Sequence, residues 1–168
     1  SSDLISDLLA RVDYQGTRGD SDGVTRIGAA QVVERILAAG GLAIPAHVDG
    51  DKGLLQVEPA TRKCLMDTTT VKQVLQEPGI LALEWAAASS PVPMVLDELK
   101  LHFASVVGSD CHSFQGSAVP GSRYTWIKMA QPSAEGLRLA LLDGQEVSVR
   151  RSDESSGFAP FNTPEHFI

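Results

Sequence analysis

Short apolar runs of strand length alternate along this chain with segments whose apolar residues recur at helical spacing. That alternation constrains the fold more than any other feature. Val32, Val33, Ile36 and Leu37 share one helical face, and Gly40-Gly41 supplies its stop before the run Leu42 to Ala46 ends in His47. Val71, Val74 and Leu75 predict a short helix closed by Pro78-Gly79, followed by a buried strand from Ile80 to Trp85. Pro91 or Pro93 opens the next helix, with Val95, Leu96 and Leu99 inward, ahead of a strand through Ala104 to Val107 that leads to Asp110. Tyr124 to Met129 has strand composition, and Ser133 is the expected N-cap of a helix through Leu137, Ala140 and Leu141 that stops at Gly144. A further strand is expected over Glu146 to Arg150. The order predicts an α/β fold with a mostly parallel sheet or barrel. Residues 13–25, rich in Gly, Asp and Ser, read as a loop within a loop-rich lead-in over 1–25, and 152–168 read as a polar linker or tail after a domain covering 1–151.

Sites in such folds lie at the carboxyl ends of strands, where His47, Glu84 and the Asp110-Cys111-His112 triplet all fall. In an extended segment, residues i and i+2 point to one side, so Asp110 and His112 are expected to converge, with Cys111 turned away as a small packed residue. A carboxylate and two imidazoles suit a Zn- or Mn-like ion, leaving a position for a water whose pKa falls to about 7. A hydrogen-bonded structural Asp–His pair is the commoner outcome of D-x-H spacing by itself. His47 at a second strand end is what favours the metal reading. Glu84, costly at the end of an apolar strand, is either a rim carboxylate paired with a cation or a group behind the metal ligands. Asp49 and Asp51 either orient a ligand histidine or, the favoured reading, are solvated turn residues; His102 at a helix–strand junction reads as structural in preference to a ligand, and His166 as a surface residue of the tail. Arg123 and Lys128, close after the Asp-His strand, are candidates for holding a phosphate or are simply solvated.

The chain has 168 residues, 43% of them hydrophobic, which is enough for one sizeable core. Gly, Pro or charge interrupts every apolar run before the roughly 18 residues of a membrane span. A net charge of −7 excludes a broad phosphate-gripping surface, so any nucleic acid is met locally or through another domain. Cys64 and Cys111 have no CxxC spacing and read as reduced thiols of a cytoplasmic protein. The start Ser1-Ser2-Asp3, without Met or a basic-then-apolar leader, predicts a processed end or a piece of a longer chain. No G-x-x-x-x-G-K-[ST] loop occurs, so ATPase chemistry would belong to another domain.

Taken together, Gly41 to Asp49 (GLAIPAHVD), Gly108 to Ser113 (GSDCHS), Arg123 to Met129 (RYTWIKM) and Pro132 to Leu137 (PSAEGL) resemble the PHP domain (polymerase and histidinol phosphatase). The nearest likeness is to the TrlF-like version that precedes an ATPase, over roughly residues 15–150. The resemblance implies part of a distorted (β/α)7 barrel with mostly parallel strands, and a divalent-metal site (Zn, Mn or Fe) that hydrolyses phosphoesters. It makes His47, Asp110 and His112 the ligands. It further implies a nucleotide or nucleic-acid phosphoester substrate, a link to DNA repair, and an ATPase domain in the same parent chain. Cys111 stands where the family commonly has Ala, and no histidine precedes His47, so the family's first His-x-His motif is missing. The chain therefore looks like the C-terminal half of a PHP domain, with an edge to be covered by a partner copy or a further segment. The alternative is a non-catalytic, degenerate PHP-like module with an interaction or regulatory role.

Overall fold

Helix α1 (Ser2–Arg11) opens the chain in the computed structural model, which describes residues 2–19, 23–87, 89–144 and 147–154. Leu4, Leu8 and Val12 recur at a spacing of four. Leu8 is half-buried and Val12 buried, so the lead-in expected to be loop begins as an amphipathic helix. The loop after it is tied at its neck, where Tyr14 bridges Thr25 and the Gln15 N–H donates to Val24 O. Helix α2 (Ala29–Ala38) follows with Val33 buried, and Gly40, at φ 76°, lets Gly41 N–H return to Ile36 O and close the helix.

The segment from Ala43 to His47 runs parallel to the next strand but is not itself one. Ala43 bridges Ile80, and Pro45, lacking an N–H, accepts from Glu84 without donating back into a ladder. A small antiparallel pair, β1 (Val57–Glu58) and β2 (Lys63–Cys64), was not legible in the sequence because each strand is two residues long. Helix α3 (Thr68–Leu75) is capped by Asp67, whose carboxylate accepts from Thr70 N at 2.8 Å, and it buries Val71, Val74 and Leu75. Strand β3 (Ala82–Glu84) then pairs in parallel with β4 (Ala104–Val106), and α4 (Met94–Leu99) makes the crossover from an N-cap at Pro93. β5 (Thr125–Ile127) pairs antiparallel with β6 (Val149–Arg151). Between them lies α5 (Ala134–Asp143), begun by the Ser133 hydroxyl accepting from Gly136 N at 3.0 Å and ended at Gly144.

The mixed α/β character stands, but the (β/α)7 barrel with mostly parallel strands does not. The described strands form three two-stranded sheets, only one of them parallel, and no barrel closes. Strands of two or three residues leave too few ladder bonds to carry a register around a closed surface. The β5–β6 pair meets β4 through a side chain instead, with the Thr125 hydroxyl donating to Val107 O at 2.9 Å and accepting from Val107 N at 2.7 Å.

The pleat divides the core. Leu83 packs with Val33, Val71, Val74, Leu75 and Val95 beneath α2, α3 and α4, whereas Ala82 and Ala104 meet Leu141 and Val149 beneath α5. Alanines on that face let α5 approach closely. Glu84 shares the side of Ala82, at the strand's carboxyl end. No helix among the described residues is long and apolar enough to cross a membrane.

Candidate functional site

The site assembles just beyond the carboxyl ends of β3 and β4. His47 and Asp110 both adopt left-handed backbone, with φ of 45° and 47°, a conformation that costs a non-glycine residue about 1–3 kcal/mol. Main-chain bonds hold His47 there. Glu84 N–H donates to Pro45 O at 3.0 Å and Glu84 O accepts from Val48 N at 2.9 Å, so one residue of β3 brackets His47 on both sides. Gly53 closes the turn below, because a Cβ on it would stand 2.4 Å from both the His47 and Val48 carbonyl oxygens.

The expected convergence of Asp110 and His112 on one strand face takes a different form. β4 ends at Val106, and both residues lie in the turn that follows, where alternation no longer applies. The His112 ring instead folds back on its neighbour, with Nδ1 2.9 Å from the Asp110 carbonyl oxygen. A carbonyl only accepts, so Nδ1 carries the proton and the lone pair of His112 is on Nε2. The Asp110 carboxylate lies 3.8 Å from His112 Nδ1 and 3.5 Å from His47 Nε2. On the other side of the His47 ring, Nδ1 is 4.0 Å from Glu84 Oε2. Thus His47 stands between two carboxylates.

Neighbouring groups build the frame. Asp49, expected to be a solvated turn residue, is half-buried and ties the segment after β3. Its carboxylate accepts from Ala86 N at 2.5 Å, from Ala87 N at 3.1 Å and from the Ser90 hydroxyl. Burial alone would raise its pKa, but these donors outweigh it and hold the group below the usual aspartate value. Asp51 is exposed, as expected. Arg123 donates to Ala86 O, which makes it a second strap on the same segment and commits part of its guanidinium to main chain. Lys128 is not brought to the site. Thr125 opens β5 against Val107, whereas Val149, the partner of Ile127, clusters with Ala82 and Ala104, the first residues of β3 and β4, so β5 leads the Lys128 backbone toward the opposite end. Cys111 is exposed and not packed, because the turn carries it outward, and His102 is exposed beyond α4. Of the expected tail, Asp153 pairs with Arg151, while the residues after Glu154, His166 among them, and the start of the expected strand at Glu146 lie outside the described residues.

A divalent ion with ligands at 2.0–2.1 Å in tetrahedral arrangement sets neighbouring donor atoms about 3.4 Å apart. The 3.5 Å between His47 Nε2 and Asp110 Oδ1 suits two such donors, and the carboxylates on either side favour a cation. Among the described residues no group of three or more His, Cys, Asp or Glu is spaced to hold a metal. The residues therefore fit one edge of a metal site. A cleft of about 670 Å³ opens elsewhere, lined by Leu83, Trp85 and Ser105 from one face of β3 and β4 and by the buried Arg151 of β6, and its lining includes neither His47 nor Asp110. The strand ends, where the titratable groups gather, are the better candidate. Comparison with protein-family models, with curated proteins and with solved structures finds no match to this chain.

Proposed function

We propose that this chain contributes His47 and Asp110, with His112 beside them, to a PHP-type site for divalent metal-dependent phosphoester hydrolysis. The observation that supports it is the 3.5 Å approach of His47 Nε2 to Asp110 Oδ1 at neighbouring strand ends, both residues being held in left-handed backbone. A divalent ion supplies, when bound, a more acidic water and neutralisation of phosphate charge. The chain's own residues orient the donors: Glu84 and the Asp49 clasp fix the segments on which they stand, and Arg123 keeps Ala86 in place. On this reading the remaining donors come from a partner copy or from another segment of a longer cytoplasmic protein that carries an ATPase domain, and the substrate is a nucleotide or nucleic-acid phosphoester.

The lack of a three-donor group among the described residues favours a second reading, a degenerate PHP-like module that serves as an interaction surface. Elemental analysis of the purified chain, followed by Mn-dependent hydrolysis of an aryl phosphodiester, separates the two. Near-stoichiometric metal and phosphodiester turnover, both lost in His47→Ala and Asp110→Ala, are expected for the enzyme. A metal-free, inactive chain with an unchanged fold would leave only the module.

A further inference from the structure

The cleft beside β3 and β4 has an aromatic side chain toward each end and differs in charge from one end to the other. Its floor is set by register. Leu83 pairs with Ser105, and alternation brings Trp85, just beyond β3, and Phe103, just ahead of β4, to the same face. Both are half-buried, and neither makes a ring contact with another described aromatic residue. At the Trp85 end lies Arg151, only 3% exposed; its strand partner Thr125 bonds Val107, level with Trp85. Asp153 takes Nε and Nη2 at 2.8 and 2.7 Å, and Nη1 donates to the Ser105 hydroxyl at 2.9 Å. One hydrogen on each Nη is left without an acceptor among the described residues, and Glu154 adds a second carboxylate 3.7 Å from Nε. Two carboxylates offset this guanidinium, so this end suits a neutral group with both donors and acceptors better than a bare anion. The other end is cationic. Lys100 and His102, both exposed, lead into Phe103; Asp97 is taken by Arg62 at 2.7 Å, and Lys100 pairs with no carboxylate among the described residues.

We propose that this cleft is a binding site for a small molecule with a flat heteroaromatic ring at one end and an anionic group at the other, the chemistry of a nucleoside monophosphate. The ring lies against Trp85 and turns its donor and acceptor edge to Glu154 and Arg151, and the phosphate reaches Lys100 at the rim. Four residues of strand separate the levels of Trp85 and Phe103, about 13 Å, which is comparable with the length of a nucleotide. Neither His47 nor Asp110 lines the cleft, so the ligand is held there and not hydrolysed. The inference goes beyond the metal-site reading and does not depend on it.

Calorimetric titration of the full chain with AMP and with adenosine tests it, in metal-free buffer at low ionic strength. AMP is expected to bind one to one. Trp85→Leu is expected to weaken both ligands roughly 5–150-fold, the range for losing one base–aromatic stack. Lys100 has left-handed backbone at φ 53°, which Asn tolerates, so Lys100→Asn removes the charge without straining the turn. It is expected to weaken AMP roughly three- to tenfold, less so at high salt, and to leave adenosine unchanged. The chain has two tryptophans, so Trp126→Phe leaves Trp85 alone, and AMP is expected to quench its fluorescence even if Trp85→Leu does not fold. No AMP binding at millimolar concentration, an unchanged affinity in folded Trp85→Leu, or unchanged Trp85 fluorescence overturns the proposal. Equal losses of AMP and adenosine in Lys100→Asn overturn it too. So does AMP binding that disappears in His47→Ala and Asp110→Ala, which would place the ligand at the strand ends instead.

Discussion

Removing the Asp49 carboxylate tests whether the frame of the site is held by polar bonds more than by apolar packing. Asp49 receives three donors from the segment after β3: Ala86 N, Ala87 N and the Ser90 hydroxyl. A hydrogen bond to a charged group contributes about 1.5–3 kcal/mol net, and the full sum does not apply here. Ala87 is exposed and Ser90 can turn toward water, so solvent replaces much of what those two lose; Ala86 N is half-buried and is less well compensated. Asp49→Ala is therefore expected to cost about 2–3 kcal/mol, which for a chain of this size lowers Tm by roughly 4–10 °C. Asp49→Asn keeps an acceptor for Ala86 but turns an amide N–H toward donors, and is expected to fall between the two. The pH dependence has a definite sign. The carboxyl is held below its ordinary value, so its stabilisation is complete above the unfolded aspartate pKa of about 3.9 and is lost as pH falls through the lower folded value. Urea unfolding followed by tryptophan fluorescence, repeated from neutral pH into acid, measures both effects. A difference under about 0.5 kcal/mol at neutral pH, the size of an ordinary surface change, would refute the clasp. So would a wild-type advantage that persists undiminished in acid.

Gly53→Ala places a Cβ against two carbonyl oxygens that cannot swing aside, and is expected to cost about 1–3 kcal/mol in urea unfolding while disturbing His47 most, as seen in its NMR shifts. Arg151, only 3% exposed, forks onto Asp153 at 2.7 and 2.8 Å and donates to the Ser105 hydroxyl, and its guanidinium lowers the pKa of Asp153. Breaking a buried pair costs about 3–5 kcal/mol, less where the partner carboxylate reaches water. Asp153 retains some exposure, so Arg151→Ala is expected to lose about 2–4 kcal/mol of chemical stability, with Arg151→Lys recovering only part because it cannot fork.

Local periodicity was enough to locate α2, α3, α4 and α5 along the chain, because each buries one face whose apolar residues repeat at helical spacing, with a Gly or Pro signal closing α2, α3 and α5 and Pro93 opening α4. It also marked the runs that become β3 and β4 and the residues that gather at their ends. The same pattern in α1 was masked by its exposed Leu4 and Ile5 and by the glycines that follow. What periodicity cannot convey is pairing. Whether a short apolar run joins a ladder depends on partners distant in sequence, and Pro45, by withholding one N–H, is enough to turn an expected strand into a single bridge.

The sequence by itself determined a mixed α/β chain with His47, Glu84, Asp110 and His112 near strand ends, since those depend on spacing and on residue chemistry. Only the tertiary structure decided that the sheets stay open and that His47 and Asp110 sit in left-handed turns, with Glu84 and Asp110 on opposite edges of one imidazole. Those outcomes depend on which backbone donors and acceptors meet across tens of residues, as when Glu84 brackets His47 and Asp49 grips Ala86, and no local pattern encodes them.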